Sequence, residues 1–373
     1  MAATPLDPDH LQQHLAVARD RRRARLTRIG PWEYLQFTGK YKSVPEGTVV
    51  FGDTVIWGYP RIGRILQLDT GIPSQFAGPF WVEEKIDGYN VRLFRHGPDT
   101  LAVTRRGYIC PFTTDRLDDL LDTRLLEERP ELVLCAEVAG PENPYNEGSP
   151  PFIREDVQLF VFDVMRKDHP GCLPYREKTD LLEQWRLPAV PRLGRFGPDE
   201  LAAVKEIILR FDGEGREGIV LKEDAPRDRR VKYVTGSSNV VDIRVNEGNI
   251  QQLPAEYFMH RILRLALFLE EHGIEPTPVL CRRLGESLIN GTLAAIGQYR
   301  QRSKVYHTFR CRFRQRANAE LMMRDIRQRL GKYQVRRRRL KKIDGYYVLE
   351  FDKVLPRTTG LFAQLLKGGL VFD

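Results

Sequence analysis

Two lysines in this chain sit in almost the same seven residues, KIDGYNV at Lys85–Val91 and KIDGYYV at Lys342–Val348. A lysine amine attacks only when neutral. Its ordinary pKa is about 10.4, so holding it half neutral near pH 7 takes a shift of about 3.4 units, or about 4.6 kcal/mol. Such a shift needs nearby cations or a metal, together with partial desolvation. A reactive lysine should therefore arrive with other basic residues, a metal-binding carboxylate and an aromatic platform for a base.

Only the first copy is followed by such a set. TRRG (Thr104–Gly107) puts Arg105 and a turn glycine at a strand end, and CAEVAGP places Glu137 at the end of another, ahead of Gly140. VQLFVFDV sets Phe162 and Asp163 in an apolar strand, and REGIVLK puts Glu217 before a strand that ends in Lys222. RRVKYV supplies Arg230 and Lys232 at alternate positions, hence on one face of a strand. Taken singly these are ordinary residues. Phe162 alone would be core, and Glu217, Lys222 and Lys232 alone would be solvated charges. Their order after one lysine makes them candidates. After Lys342 the chain runs only to Asp373, and Asp-Gly between a basic run and YYVLEF has the composition of a tight β-hairpin turn. Lys85 is the candidate site.

The elements that must hold these residues change along the chain. A basic helix is predicted over Asp9–Arg28, followed by a Gly/Pro-punctuated stretch with short strands such as TVVFG. From about Tyr59 to Val245, short β-rich runs recur between turn clusters, interrupted by helical patterns at Tyr175–Arg186 and Pro198–Arg210. This reads as an α+β domain of packed antiparallel sheets with helices outside. After about residue 250 the period turns helical. EYFMHRILRLALFLEEHG is apolar around much of its circumference and must be covered by its own chain or by a second subunit. A further helix at Ala317–Leu330 leads into the Arg-rich run and a final strand pair. The expected units are an N-terminal module (1–58), a catalytic domain (59–245), a helical domain (246–315) and a basic helix–hairpin domain (316–373).

Charge points to the partner. Fifty-nine Lys+Arg against fifty Asp+Glu give a formal charge of +9, concentrated at Arg19–Arg28, Arg300–Arg316 and RRRRLKK at Arg336–Lys342. Each cluster alone fits a solvated face, but together they favour a polyanion, most often nucleic acid. Five dispersed cysteines with no Cys-x-x-Cys pair argue against a zinc site or a disulfide framework. The seven histidines show no metal spacing. A polar N-terminus and the lack of any bilayer-length apolar run lead to the expectation of a cytoplasmic protein without a membrane partner.

The strings EEKIDGYNVRLF, TRRGYICPFTTDR, EVAGPENPY and RVKYVTGSSN resemble the archaeal-type homodimeric ATP-dependent RNA ligases, a third RNA ligase family within the covalent nucleotidyltransferases. The resemblance covers about residues 55–245 strongly and the remainder loosely. It implies that Lys85 attacks the α-phosphorus of ATP to form a lysyl-adenylate, with Ile86, Asp87 and Gly88 shaping the turn beside it. Arg105 would contact the nucleotide or an RNA phosphate, Glu137 the ribose hydroxyls, and Phe162 the adenine ring. Glu217 would place a divalent metal, Mg2+ or Mn2+, and Lys222 and Lys232 would hold the α-phosphate. Glu83 or Glu84 would meet the adenine edge. Arg230 stands where relatives often have lysine. Arg61, Arg64 and Arg116 are equally RNA contacts or ordinary ion pairs, and Lys342 a structural residue or an RNA contact. The implied partners are RNA 5′-phosphate and 3′-hydroxyl ends and a second copy of the chain. DNA ligases and capping enzymes remain rivals, although their OB domain is not what the helical sequence after Val245 suggests. A non-catalytic RNA-binding protein on a ligase scaffold is the alternative outside the enzymes.

Overall fold

The computed structural model describes residues 15–167, 169–224, 229–246, 248, 252–331 and 333–370. A short helix α1 (15–20) ends before Arg21, and Ala24–Ile29 is strand β1. The single helix expected through Arg28 is thus corrected, and its first part, 9–14, lies outside the described residues. The strand pairs with β2 (Trp32–Phe37), an aromatic-rich segment whose last four residues are buried. With β3 (Val49–Phe51) and β4 (Thr54–Ile56) they form a four-stranded meander.

Two larger sheets follow. One runs β10-β9-β7-β8, from β7 (Tyr89–His96), β8 (Asp99–Thr104), β9 (Leu132–Ala139) and β10 (Gln158–Arg166), all antiparallel. The N-terminal meander packs Tyr34, Phe37 and Phe51 on one face of it, against Phe94, Val103 and Cys135. The other face meets helices α3 (Pro111–Leu120) and α4 (Arg124–Glu128) and the far end of the chain. Covered on both sides, β9 reads as the near-continuous apolar run LVLCAEVA rather than as alternation. The second sheet runs β11-β6-β12-β13-β5, from β5 (Gly63–Arg64), β6 (Phe80–Lys85), β11 (Arg192–Phe196), β12 (Gly218–Glu223) and β13 (Arg230–Val234). Helices α2 (Leu68–Gln75) and α6 (Leu201–Glu214) fill its outer face, and α5 (Tyr175–Gln184) lies beside β10.

The C-terminal half is helical as far as Arg302, with α7 (Gly236–Val245), α8 (Ala255–Glu271) and α9 (Pro278–Arg302). It is not helical throughout. β14 (Tyr306–Phe313), which the sequence reading missed, joins β15 (Val335–Ile343) and β16 (Tyr346–Val354) in a sheet ordered β14-β16-β15, with α10 (Arg316–Leu330) against it and α11 (Pro356–Leu365) after it. β14 pairs along its whole length with β16, so the division expected at 315/316 passes through a sheet. Phe309, Cys311 and Phe313 enter the same core as Val91 and Leu134. α8 buries Leu265 and Phe268 against the five-stranded sheet and α7, and Met259 and Leu263 remain 61% and 51% exposed. Among the described residues, only one side of that helix is covered by its own chain.

Candidate active site

Lys85 is the last residue of β6 in the five-stranded sheet, and Tyr89 is the first residue of β7 in the other. Ile86–Gly88 therefore bridge the two sheets, and the lysine stands where they part. The space between them is a cleft of about 980 Å³ lined by Lys85, Glu137, Phe162, Glu217, Lys222 and Lys232. Glu83, Glu84, Ile86, Asp87, Gly88 and Arg105 also border it. Distant stretches of sequence converge here because β12 pairs with β6 and β9 pairs with β7, which sets Gly218 beside Lys85 and Glu137 beside Asn90. Gly88 lacks a side chain for a steric reason: a Cβ there would run into the Val138 carbonyl.

The lysine is not surrounded only by cations. Its Nζ donates to Glu217 Oε2 at 2.6 Å. Burial pulls the Lys85 pKa down, but Glu217, Glu137 and Asp87 outweigh burial and leave it above the ordinary value. The expectation of an amine already neutralised by like charges is corrected: the amine is bonded to a carboxylate that favours its charged form. The acids respond in turn. Burial, then Glu217, raises Asp87 to about 7, and burial, only partly offset by Lys85, raises Glu137 to about 8. Lys232, by contrast, has a lowered pKa, brought to about 8 by burial and then by Lys85, Arg64 and Arg105. Lys232, Arg64 and Arg105 have no ion pair or hydrogen bond to a side chain among the described residues, which leaves three mutually repelling cations at one wall of the cleft.

The wall behind Phe162 is built differently. A bulge between Val161 and Asp163 in β10 leaves Phe162 without a ladder partner and re-aims its ring into the cleft. Its centroid lies 5.2 Å from that of Tyr59, edge-on. Lys222 Nζ donates to the Phe162 carbonyl at 2.7 Å and pairs with Glu83 at 2.6 Å and Asp163 at 3.2 Å. Lys178 pairs with the other oxygen of Glu83, and Arg230 pairs with Asp163. Three cations and two carboxylates, all 6% exposed or less at the side chain, thus compensate one another around the aromatic platform. Unpaired, any of them would be costly. Lys222, expected to hold the α-phosphate, is engaged by protein carboxylates, and so is Arg230, for which the sequence assigned no contact. Glu83 and Glu84 also separate by strand alternation: Glu83 shares the Lys85 face of β6, whereas both oxygens of Glu84 accept from Arg216 Nη1 at 2.8 Å on the other.

Arg105 projects from the turn Arg105–Gly107, which the N-terminal meander buttresses. Arg92, fully buried, donates to the carbonyls of Gly47 (2.7 Å), Thr104 (3.0 Å) and Trp57. Of the undecided arginines, Arg61 pairs with Glu46 and Arg116 with Asp119 and Asp156, whereas Arg64 lines the cleft. Sequence reasoning missed Tyr59, Lys178 and Asp242. Only Asp163, noted beside Phe162, hinted at the ionic wall. No acidic, histidine and cysteine side chains among the described residues cluster closely enough to hold a metal unaided.

A strand-end lysine between two largely antiparallel sheets, facing cations and an aromatic ring, is the arrangement expected of a covalent nucleotidyltransferase. Residues 78–234 match the RNA ligase family model, and residues 247–369 match that of the ligase Pab1020 C-terminal region. An uncharacterized protein of Methanocaldococcus jannaschii is 30% identical over 74% of this chain and 72% of its own length. An archaeal ATP-dependent RNA ligase superposes with a TM-score of 0.87 at 29% identity, over 98% of this chain and 99% of its own. A protein of Aquifex aeolicus, provisionally called an ATP-dependent DNA ligase, reaches 0.92 at 49% identity over 98% and 100%. The chain belongs to the archaeal-type ATP-dependent RNA ligase family. No helix among the described residues is long and apolar enough to cross a membrane.

Proposed function

We propose that the protein joins RNA 5′-phosphate and 3′-hydroxyl ends with ATP, through AMP carried on Lys85. The observation that supports this most is the Lys85 amine, bonded to Glu217 at 2.6 Å, inside a cleft with unpaired Lys232, Arg64 and Arg105 on one side and Phe162 on the other. Adenine would lie on Phe162, and Lys232 would take charge on the phosphates. A bond from Nζ to the α-phosphorus forms as the bond to the bridging oxygen breaks and pyrophosphate leaves. An RNA 5′-phosphate oxygen then displaces Lys85 from that phosphorus. Finally the 3′-hydroxyl attacks the 5′-phosphorus and AMP departs. Positioning and charge neutralisation are what such displacements require.

A divalent cation suits this site in the way Mg2+ is usually held, by one or two carboxylates together with substrate phosphates and water. Glu217 is the carboxylate placed to hold it, and the ion would supply positive charge to the phosphates. Any demand on Glu217 from that side weakens its hold on Lys85. Burial, Lys232 and Arg105 then act on an amine with less compensation, which favours its neutral, attacking form.

The same reading includes a homodimer. Met259 and Leu263 on α8 and Ile289 and Leu293 on α9 are each more than half exposed and stand one turn apart on their helices. Light scattering should give twice the chain mass, falling to one chain in Leu263→Glu/Ile289→Glu; a monomeric wild type at micromolar concentration removes the dimer. A second reading, joining of DNA ends, is favoured by what the Aquifex aeolicus relative is called. The deciding experiment supplies α-labelled ATP, Mg2+ and 5′-phosphorylated single strands of RNA or DNA in the same sequence. Covalent labelling with sealing of RNA is the expected result, and sealing of DNA alone would replace it. RNA binding without labelling leaves only a binding protein.

A further inference from the structure

The Arg-rich run plays no part in the cleft. Six of the seven residues Arg336–Lys342 are cations, and they lie on β15, one of the two edge strands of its sheet. Charged residues commonly guard an exposed edge against pairing with another strand. Here there are more than that task needs, and most are unused. Arg338 pairs with Asp352 at 2.7 Å, and Lys342 Nζ lies 5.7 Å from the Tyr347 ring centroid. Arg336, Arg337, Arg339 and Lys341 are exposed, with no side-chain partner among the described residues.

This strand begins at the rim of the Lys85 cleft. Arg329 and Leu330, the last residues of α10, line that cleft, and the Arg329 guanidinium lies 4.4 Å from the ring centroid of Tyr108, which lines it too. Val335, at the start of β15, is tied back to the same helix by Arg327 Nε at 3.4 Å. Between them Tyr333 is 79% exposed. A nine-residue strand extends about 30 Å, and β15 ends at a turn anchored by Tyr346, whose hydroxyl donates to Asp119 at 3.2 Å.

We propose that Tyr333 and β15 form a track for single-stranded RNA leading away from the cleft. Arg336, Arg337, Arg339 and Lys341 contact successive phosphates, and Tyr333 stacks on a base. The track deepens the RNA-joining reading and rests on it for the identity of the polyanion. Cations interleaved with an aromatic platform suit an unpaired strand, whose bases are free to stack. The exposed edge of β15 offers no apolar patch on which a protein partner would build an interface core.

The test measures binding of a 5′-phosphorylated single-stranded RNA to the full chain across a salt series. Arg337→Gln/Arg339→Gln/Lys341→Gln should make the slope of log K against log salt shallower by about 2, at roughly 0.7 per lost contact on a single strand. Arg337→Lys/Arg339→Lys/Lys341→Arg should keep the wild-type slope. So should Arg124→Gln/Arg129→Gln/Arg195→Gln, which removes the same charge from exposed sites elsewhere. Tyr333→Ala should weaken binding without changing the slope. Covalent labelling by ATP should survive in the glutamine variant, reporting an intact fold. A wild-type slope in that variant, an equal loss in the control, or a preference of the track for duplex overturns the proposal. The two readings fail separately. Loss of labelling and sealing in the wild type, with β15-dependent RNA binding retained, removes the ligase reading and keeps the track. Normal labelling and sealing, with binding indifferent to β15, does the reverse.

Discussion

The two copies of Lys-Ile-Asp-Gly-Tyr form different structures. In the first, the chain leaves one sheet at Lys85 and enters another at Tyr89. In the second, β15 and β16 are partners in a single sheet, and Lys342 faces Tyr347 across the hairpin. Asp344 and Gly345, with φ of 48° and 83°, make the two-residue turn for which Asp-Gly is favoured. The glycines serve opposite needs. Gly345 needs its backbone angle and has open space around it, whereas Gly88 needs its missing side chain. Nor do the lysines share surroundings: Lys85 is bonded to Glu217, and Lys342 is exposed on an edge strand with an aromatic neighbour. The pentapeptide encodes a change of direction. The chemistry of its lysine comes from what other strands bring to it.

That contrast breaks most sharply at the two amines. Lys85→Ala should abolish covalent labelling by α-labelled ATP, because the proposed route carries AMP on the Lys85 amine. Lys342→Ala should label within about twofold of wild type, since exposed substitutions of this kind are usually near neutral. Equal labelling of both variants would mean that the nucleophile lies elsewhere. Glu217→Gln makes the first lysine more like the second by removing its carboxylate. Labelling should slow by about 10²–10³-fold, the usual cost of losing one oriented charge at such a centre. Rapid-quench measurement of the adenylylation step reads this directly.

The glycines sharpen the comparison at a lower magnitude. Gly88→Ala forces a Cβ against the Val138 carbonyl and must displace either β9 or the Lys85 turn. A loss of about 1–3 kcal/mol in denaturant unfolding is expected from overpacking, with labelling impaired beyond the stability loss. Gly345→Ala meets no atom and carries only the penalty of a positive φ, about 1–2 kcal/mol, with labelling intact. If both variants lose labelling equally, the two turns are more alike than their structures.

How much of this was legible followed the range of the interaction that carries it. The hairpin at Asp344–Gly345 is local turn chemistry and was readable from two residues. So were β6, β7, β9, β12 and β13, whose apolar runs sit between turn clusters. β14 was not, because YHTFRCRF carries charge on its outward positions and lies between two long helical patterns. Its apolar positions make sense only once β16 is beside it. Lys178 was invisible for a related reason: on α5 it is one polar residue among several, and only the fold brings it to Glu83. The state of Lys85 was misread because a list of nearby basic residues omits the carboxylate that reaches the amine first. Sequence order gave the members of the cleft but not which of them pair with one another.

Lys232 offers the finest distinction between a lysine in the cleft and one on the surface. Burial, then Lys85, Arg64 and Arg105, lower its pKa to about 8. Lys232 therefore loses its positive charge as pH rises through about 8, and ATP binding should weaken from that point upward. Binding of a polyanion restores the charged form, so the affinity loss is bounded at about tenfold per pH unit. Lys232→Arg keeps its charge across the range, because a guanidinium does not deprotonate there. Its ATP dissociation constant should be nearly flat between pH 8 and pH 9.5, where that of the wild type climbs, although its altered reach can shift the whole curve. Calorimetric titration of each protein, Lys85 intact, with an ATP analogue carrying methylene in place of the α–β bridging oxygen isolates binding from chemistry and keeps the Lys85 charge beside Lys232. Parallel pH profiles for the two would show that the cation wall of the cleft does not act on Lys232.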